Sequence, residues 1–223
     1  MNLLRTLLYI AAFLPDILHC QARTAAELFI AAPNEAMMMF DRNLRMDMLD
    51  YYRAGLDRKV SLFDTPDGAK ITALDDNSIT ISIGDNSKIQ FAVIPQAGLV
   101  RDTTVVIIET TATPVPDSSI FYYRPGKDQD IVRPVDGAPT VKDFLAKADR
   151  KSKDLPPFLL ATAEYLPDKK RFVFTNTTAQ YYLDSVRPQI VENMAKTLTF
   201  RMHPYGILEP ESNIFTKQVG GRR

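Results

Sequence analysis

A chain of 223 residues, 45% hydrophobic and 24% charged, is ordinary globular material for one or two domains, and that composition excludes a highly charged disordered chain. Its 27 Lys and Arg cancel 27 Asp and Glu, which excludes a general electrostatic grip on nucleic acid, because neutralising phosphates takes surplus cations. One cysteine excludes an intrachain disulfide framework and a multi-thiolate metal cage, and two histidines leave little imidazole chemistry.

The opening segment, Met1 to Ala22, reads as a secretory signal peptide. Arg5 precedes an apolar run from Thr6 to Leu14, followed by Pro15, Asp16 and then His19-Cys20-Gln21-Ala22. The run falls short of the ~20 apolar residues of a membrane span, and no later segment reaches that length. Cleavage between Ala22 and Arg23 leaves a mature chain with no cysteine and one histidine, His203, which suits an oxidising compartment outside the cytoplasm. The competing reading makes Cys20 the acylated first residue of a lipoprotein, although His19 stands where a lipobox wants a small residue.

The mature chain begins helical. Thr24 and Glu27 have the spacing of a capping box ahead of AAELFIAA, and Pro33 stops that helix. A second helix is expected from Asn34 to Phe40 and a third from Asn43, with Gly55 at the position of a C-terminal glycine. From Lys59 the apolar period changes to two. VSLF, the turn TPDG, AKITAL, the turn DDNS, ITISI, the turn GDNS and KIQFAVI predict an antiparallel meander. One face of it can be wet, and the preceding helices are the obvious cover for the other. The unbroken apolar centre of Thr103–Ala112 predicts a more buried strand, and SSIFYYR a further one.

Pro125–Pro139 reads as an exposed connection, followed by a short helix from Thr140 to about Lys151. FLLATAEY and RFVFTNTT are expected to pair as a hairpin. Asp184 is expected to cap a helix running to Met194, with Pro188 in its first turn. TLTFRM, the turn HPYG and ILE close the fold, and residues 216–223 form a frayed basic tail.

Most catalytic signatures are absent: no GxSxG, SxxK, HExxH, GxGxxG or Walker-type loop occurs. A Ser-His-Asp triad would need His203, which sits in a turn. The acidic DQD at 128–130 lacks the glycine and distal Glu of a calcium loop. Asp47 and Asp50 are the weak candidates for paired-carboxylate catalysis. The ordinary reading of that segment is a solvated helix face, laddered by pairs such as Asp50–Arg53 and Arg53–Asp57.

Six of nine tyrosines fall in doublets, at 51–52, 122–123 and 181–182. Neighbours on a strand point to opposite faces, so one ring of Tyr122-Tyr123 faces away from the side its partner packs on. An outward tyrosine is a good recognition element, with a large stiff area and a polar tip. A sheet covered on both faces is the alternative.

AAELFIAAP, NLRMDMLDYYRAG, the meander, and the later TAEYLP…FVFTNTTAQYYL resemble domain of unknown function family 3256, secreted proteins of Bacteroides-type bacteria. The resemblance spans nearly the whole mature chain and carries over no catalytic residue. It implies O-glycosylation patterns at Asp102-Thr103-Thr104 and Asp184-Ser185-Val186. One departure is near the C-terminal strand, where an aromatic, often Trp, is expected and Phe200 and Tyr205 stand instead.

The expected architecture is one α+β domain over residues 23–215, with a mainly antiparallel sheet of about eight strands and packed N-terminal and C-terminal helices. The expected function is that of an exported, non-enzymatic interaction module of the periplasm or cell envelope, taking an envelope protein or glycan. No cofactor, no metal and no nucleic acid is expected. A carboxylate-dependent hydrolase or a lipid-anchored surface component is the alternative.

Overall fold

The computed structural model describes residues 23–62, 65–95, 103–126, 131–145, 156–203 and 205–211. Thr24 closes its capping box with Glu27 and starts helix α1 (Ala25–Ala31), while Asp41 caps helix α2 (Arg42–Arg53) by accepting from Leu44 N–H at 2.9 Å. Gly55, at φ +67°, ends α2 as its sequence position predicts. Between the two helices only a 3-10 turn forms, Asn34–Ala36, and not a second α-helix. The chain turns at Met37, whose φ is −138°, so that Met37 and Phe40 enter the core ahead of the Asp41 cap.

Seven strands form one antiparallel sheet in chain order: β1 (Val60–Leu62), β2 (Thr65–Leu74), β3 (Ser78–Ile83), β4 (Ser87–Pro95), β5 (Thr103–Thr111), β6 (Asp117–Tyr123) and β7 (Arg133–Pro134). The stretch TPDG, expected as a turn, lies inside β2 instead, with Thr65 opposite Leu62. Gly68 makes this possible at a register irregularity, since a Cβ there would sit 2.4 Å from the Val60 carbonyl oxygen. Helix α3 (Val141–Phe144) follows; the remainder of the helix expected to Lys151 lies outside the described residues.

Four more strands, β8 (Ala161–Leu166), β9 (Arg171–Asn176), β10 (Thr197–His203) and β11 (Ile207–Pro210), make a second antiparallel sheet in the order β11-β10-β9-β8. The expected hairpin of ATAEY and RFVF is therefore present as β8–β9. Helix α4 (Arg187–Asn193) carries Pro188 in its first turn but starts later than expected. Asp184 does not cap it, and forms an ion pair with Arg187 at 2.9 Å.

The fold is α+β and mainly antiparallel, with its strands divided seven and four between two sheets. The helices α1 and α2 cover one face of the large sheet, burying Ile79, Ile81, Phe91, Val105 and Ile107 among others. The small sheet covers the other face over β4, β5 and β6, where Ala92, Ile94, Val106, Ile108, Ile120 and Tyr122 meet Phe172, Phe174, Phe200 and Leu208. This explains why β5 is an unbroken apolar run: both of its faces are buried. On β3, outside that cover, Ile79, Ile81 and Ile83 alternate with the half-exposed Thr80 and Ser82.

The outer edge of β8 is closed by side chains of the large sheet. Its N–H groups at Ala161, Ala163 and Tyr165 donate to Asp117 Oδ1, Ser118 Oγ and Gln90 Oε1 at 2.9, 3.0 and 2.9 Å. At the other edge, β11 bridges in parallel to Asp136, just beyond β7. Unpaired strand edges invite association with other chains, and both edges of the small sheet are shielded in this way.

Candidate functional site

Two segments distant in sequence are stapled together beside the small sheet. Leu160 N–H donates to Thr178 Oγ1 at 3.0 Å, and Leu160 C=O accepts from Thr177 N–H at 2.9 Å and from Thr178 Oγ1 at 3.2 Å. That staple sets Phe158 against a 3-10 turn, Thr178–Tyr181. Phe158 meets Tyr181 edge-on at 5.1 Å between ring centres and stacks near-parallel on Tyr182 at 6.1 Å. The two tyrosines complete the triangle at 6.0 Å.

Arg187 holds the turn from below. Its Nε donates to Ala179 C=O and its Nη2 to Tyr182 C=O, each at 3.1 Å, while Nη1 pairs with Asp184. Tyr181 is 56% exposed and Leu183 79%, with Val186 and Val191 also exposed on the adjoining segment. Tyr181 and Phe158 are thus exposed in a cluster backed by the half-buried Tyr182, a surface fit for contact because such rings give large area for little lost freedom.

Tyr122 and Tyr123 do not form such a surface. Both rings are buried, Tyr122 between the sheets and Tyr123 under the helices. The outward ring expected for one of them is lost because β6 is covered on both faces. Tyr122 is packed so closely against the β10–β11 turn that a Cβ on Gly206 would lie 2.1 Å from its ring. Of the six doublet tyrosines the most exposed is Tyr181, on the 3-10 turn, followed by Tyr52, while Tyr182 is half-buried.

A family model described as a protein of unknown function, DUF3256, matches residues 17–205. The chain belongs to the DUF3256 family. Among solved structures it is similar to a domain of an uncharacterized protein from Porphyromonas gingivalis W83, with a TM-score of 0.60 and 14% identity, covering 86% of this chain and all of that one. At that identity the likeness shows the fold alone. No curated protein matches this chain.

In this DUF3256 chain the acidic candidates do not converge. Asp47 and Asp50 are both exposed on α2, opposite the buried Arg45, Met48 and Leu49, as a solvated helix face requires. Glu109 is a carboxyl group whose pKa burial pushes up, yet its cross-strand neighbours are Ile89 and Ser119, so no second acid accompanies it there. His203, at the end of β10, pairs with Glu209 Oε2 at 2.8 Å. Among the described residues no group of three or more His, Cys, Asp or Glu is placed to hold a metal ion, and no helix is long and apolar enough to cross a membrane.

Ala22, Cys20, the DQD at 128–130 and Asp102 lie outside the described residues. Arg23 is exposed. Of the hydroxyls in the two glycosylation patterns, Ser185 is exposed in the turn before α4, whereas Thr103 is half-buried in β5 and Thr104 fully buried.

The sequence signals for the aromatic cluster are the Tyr181-Tyr182 doublet and the Pro156-Pro157 entry to Phe158. What sequence reasoning missed is their meeting, which depends on the Leu160 staple across 18 positions.

Proposed function

We propose that this chain is an exported, non-enzymatic interaction protein of the periplasm or cell envelope, and that Phe158, Tyr181 and Tyr182 form its contact surface. The observation that carries the reading is a packed cluster of three rings, two of them exposed, on a turn whose backbone Arg187 braces. The leader-like Met1–Ala22 segment and the lack of cysteine beyond Cys20 support the location. The partner is an envelope protein or a glycan, both of which present faces that pack on aromatic rings.

A photo-crosslinking residue at position 181 tests the surface in the native host. We expect an envelope-derived adduct that disappears when Phe158→Ala is added, and none from the same residue at position 56 on the far helical side. Equal adducts from both positions overturn the reading. Intact-mass analysis tests the location: a chain starting at Arg23 supports export, diacylglycerol on Cys20 makes it a lipid-anchored component, and Met1 retained in the cytosolic fraction removes the location altogether.

A further inference from the structure

The outer face of the small sheet carries a second constellation, independent of the aromatic cluster. The register that pairs Phe172 with Phe200 sets Arg171 of β9 beside Arg201 of β10. Like charges placed so across a sheet repel, and Glu211 answers both of them. Arg171 Nε lies 2.9 Å from Glu211 Oε2, and Arg201 Nε donates to Oε1 of the same carboxylate. Glu211 is only 18% exposed and is fixed by its own N–H, which donates to Thr199 C=O at 2.9 Å.

Both arginines therefore engage Glu211 through Nε. Their terminal Nη groups have no hydrogen bond among the described residues, and both side chains remain well exposed. An arginine fork left open in this way matches a carboxylate bidentately. Arg201, His203, Glu209, Pro210 and Glu211 line an open groove of about 300 Å³, at the small end of ligand-sized pockets. Across it, Glu209 Oε2 faces His203 Nε2 and, more than half exposed, retains acceptor capacity for hydroxyl groups.

We propose that this groove binds a hexuronate unit of an acidic glycan, its carboxylate on the open fork of Arg201, with Arg171 helping to hold Glu211 at the groove's edge, and its hydroxyls on Glu209. The lining favours this ligand over a peptide. Pro210 is its sole apolar element, so a hydrophobic anchor finds no pocket, whereas a polyol with one carboxylate satisfies donors and acceptors together. Two arginines balance two glutamates here, so directional hydrogen bonds and not long-range attraction set the affinity.

Titration calorimetry on the chain purified from its host, with free galacturonate, free glucuronate, galactose and inorganic phosphate, tests the proposal. We expect saturable binding of at least one hexuronate, with galactose and phosphate each at least tenfold weaker. Arg201→Gln is expected to weaken the hexuronate at least tenfold and Arg201→Lys to fall between, since the lysine keeps the charge and loses the fork. Tyr181→Ala is expected to leave hexuronate binding unchanged, which separates this groove from the aromatic surface. The proposal is overturned if neither hexuronate saturates, if galactose or phosphate binds as well, or if Arg201→Gln binds like the parent with an unchanged thermal melt.

Discussion

The side-chain amide of Gln90 hydrogen-bonds both backbone groups of Tyr165: Nε2 donates to the carbonyl oxygen at 2.8 Å, and Oε1 accepts from the N–H at 2.9 Å. Gln90 belongs to β4 of the large sheet and Tyr165 to the edge strand β8 of the small one. One amide thus stands in for a missing neighbouring strand and fixes how the two sheets meet.

Replacing Gln90 with Leu leaves both backbone groups of Tyr165 without partners in a half-buried place. The expected loss is about 2 kcal/mol. Urea unfolding reads it as a lower midpoint at unchanged slope. Gln90→Glu is expected to lose at least as much, because a carboxylate accepts from the N–H but faces the carbonyl oxygen without a donor. An unchanged midpoint in both variants would show that the amide does not join the sheets.

Gly206 has φ +76° and lies against the Tyr122 ring. Gly206→Ala is expected to destabilise by about 2–4 kcal/mol, from overpacking together with a disfavoured backbone. Adding Tyr122→Leu should recover part of the loss, leaving the backbone component. A double-mutant cycle with no coupling between the two positions contradicts this packing.

Burial pushes the Tyr165 hydroxyl up to about 12. Its unfolded counterpart ionises near the ordinary value of about 10, so the folded chain keeps a proton that the unfolded chain releases. The neutral folded form therefore contributes fully below about pH 10, and that contribution is lost as pH rises toward 12. At about pH 11.5 the loss amounts to roughly 2 kcal/mol, absent from Tyr165→Phe. Comparing the drop in unfolding free energy from about pH 9 to 11.5 in the two proteins checks it. Parallel drops would remove Tyr165 as the cause.

Arg45 is 1% exposed in α2, and its Nε and Nη1 have no hydrogen-bond acceptor. Desolvation lowers its pKa, against smaller favourable effects of Tyr123 and Asp41. A buried charge with unmet donors opposes folding, so Arg45→Met, of similar length and apolar, is expected to raise stability by about 1–4 kcal/mol. Arg45→Ala should fall below Arg45→Met, because it empties the same space. Thermal melts of the pair distinguish the two effects. A methionine variant less stable than the parent would mean that Arg45 is a needed support and not a burden.

Local patterns were legible wherever one short-range effect dominates. The Thr24–Glu27 capping box, Gly55 at the end of α2, the period-two strands and the doubly buried run of β5 all follow from interactions within a few residues or from whether one or two faces are covered. The structure differs from these patterns where a specific partner outweighs the generic signal of a turn or a cap. TPDG became strand because Gly68 tolerates the close approach of Val60, and Asp184 was drawn to Arg187 instead of capping α4.

Class and most of the element order were determined by the sequence itself, through alternation and capping; the loss of the second helix and the strand β7 within the expected Pro125–Pro139 connection were not. The division of the strands into two sheets, the burial of Tyr122 and Tyr123, and the gathering of Phe158 with Tyr181-Tyr182 were decided only in three dimensions. The same holds for Arg171, Arg201 and Glu211, which are 30 and 10 positions apart and meet through strand register. Periodicity states which residues share a face of one strand; which strand or layer lies against that face depends on long-range pairing, and no local pattern encodes it.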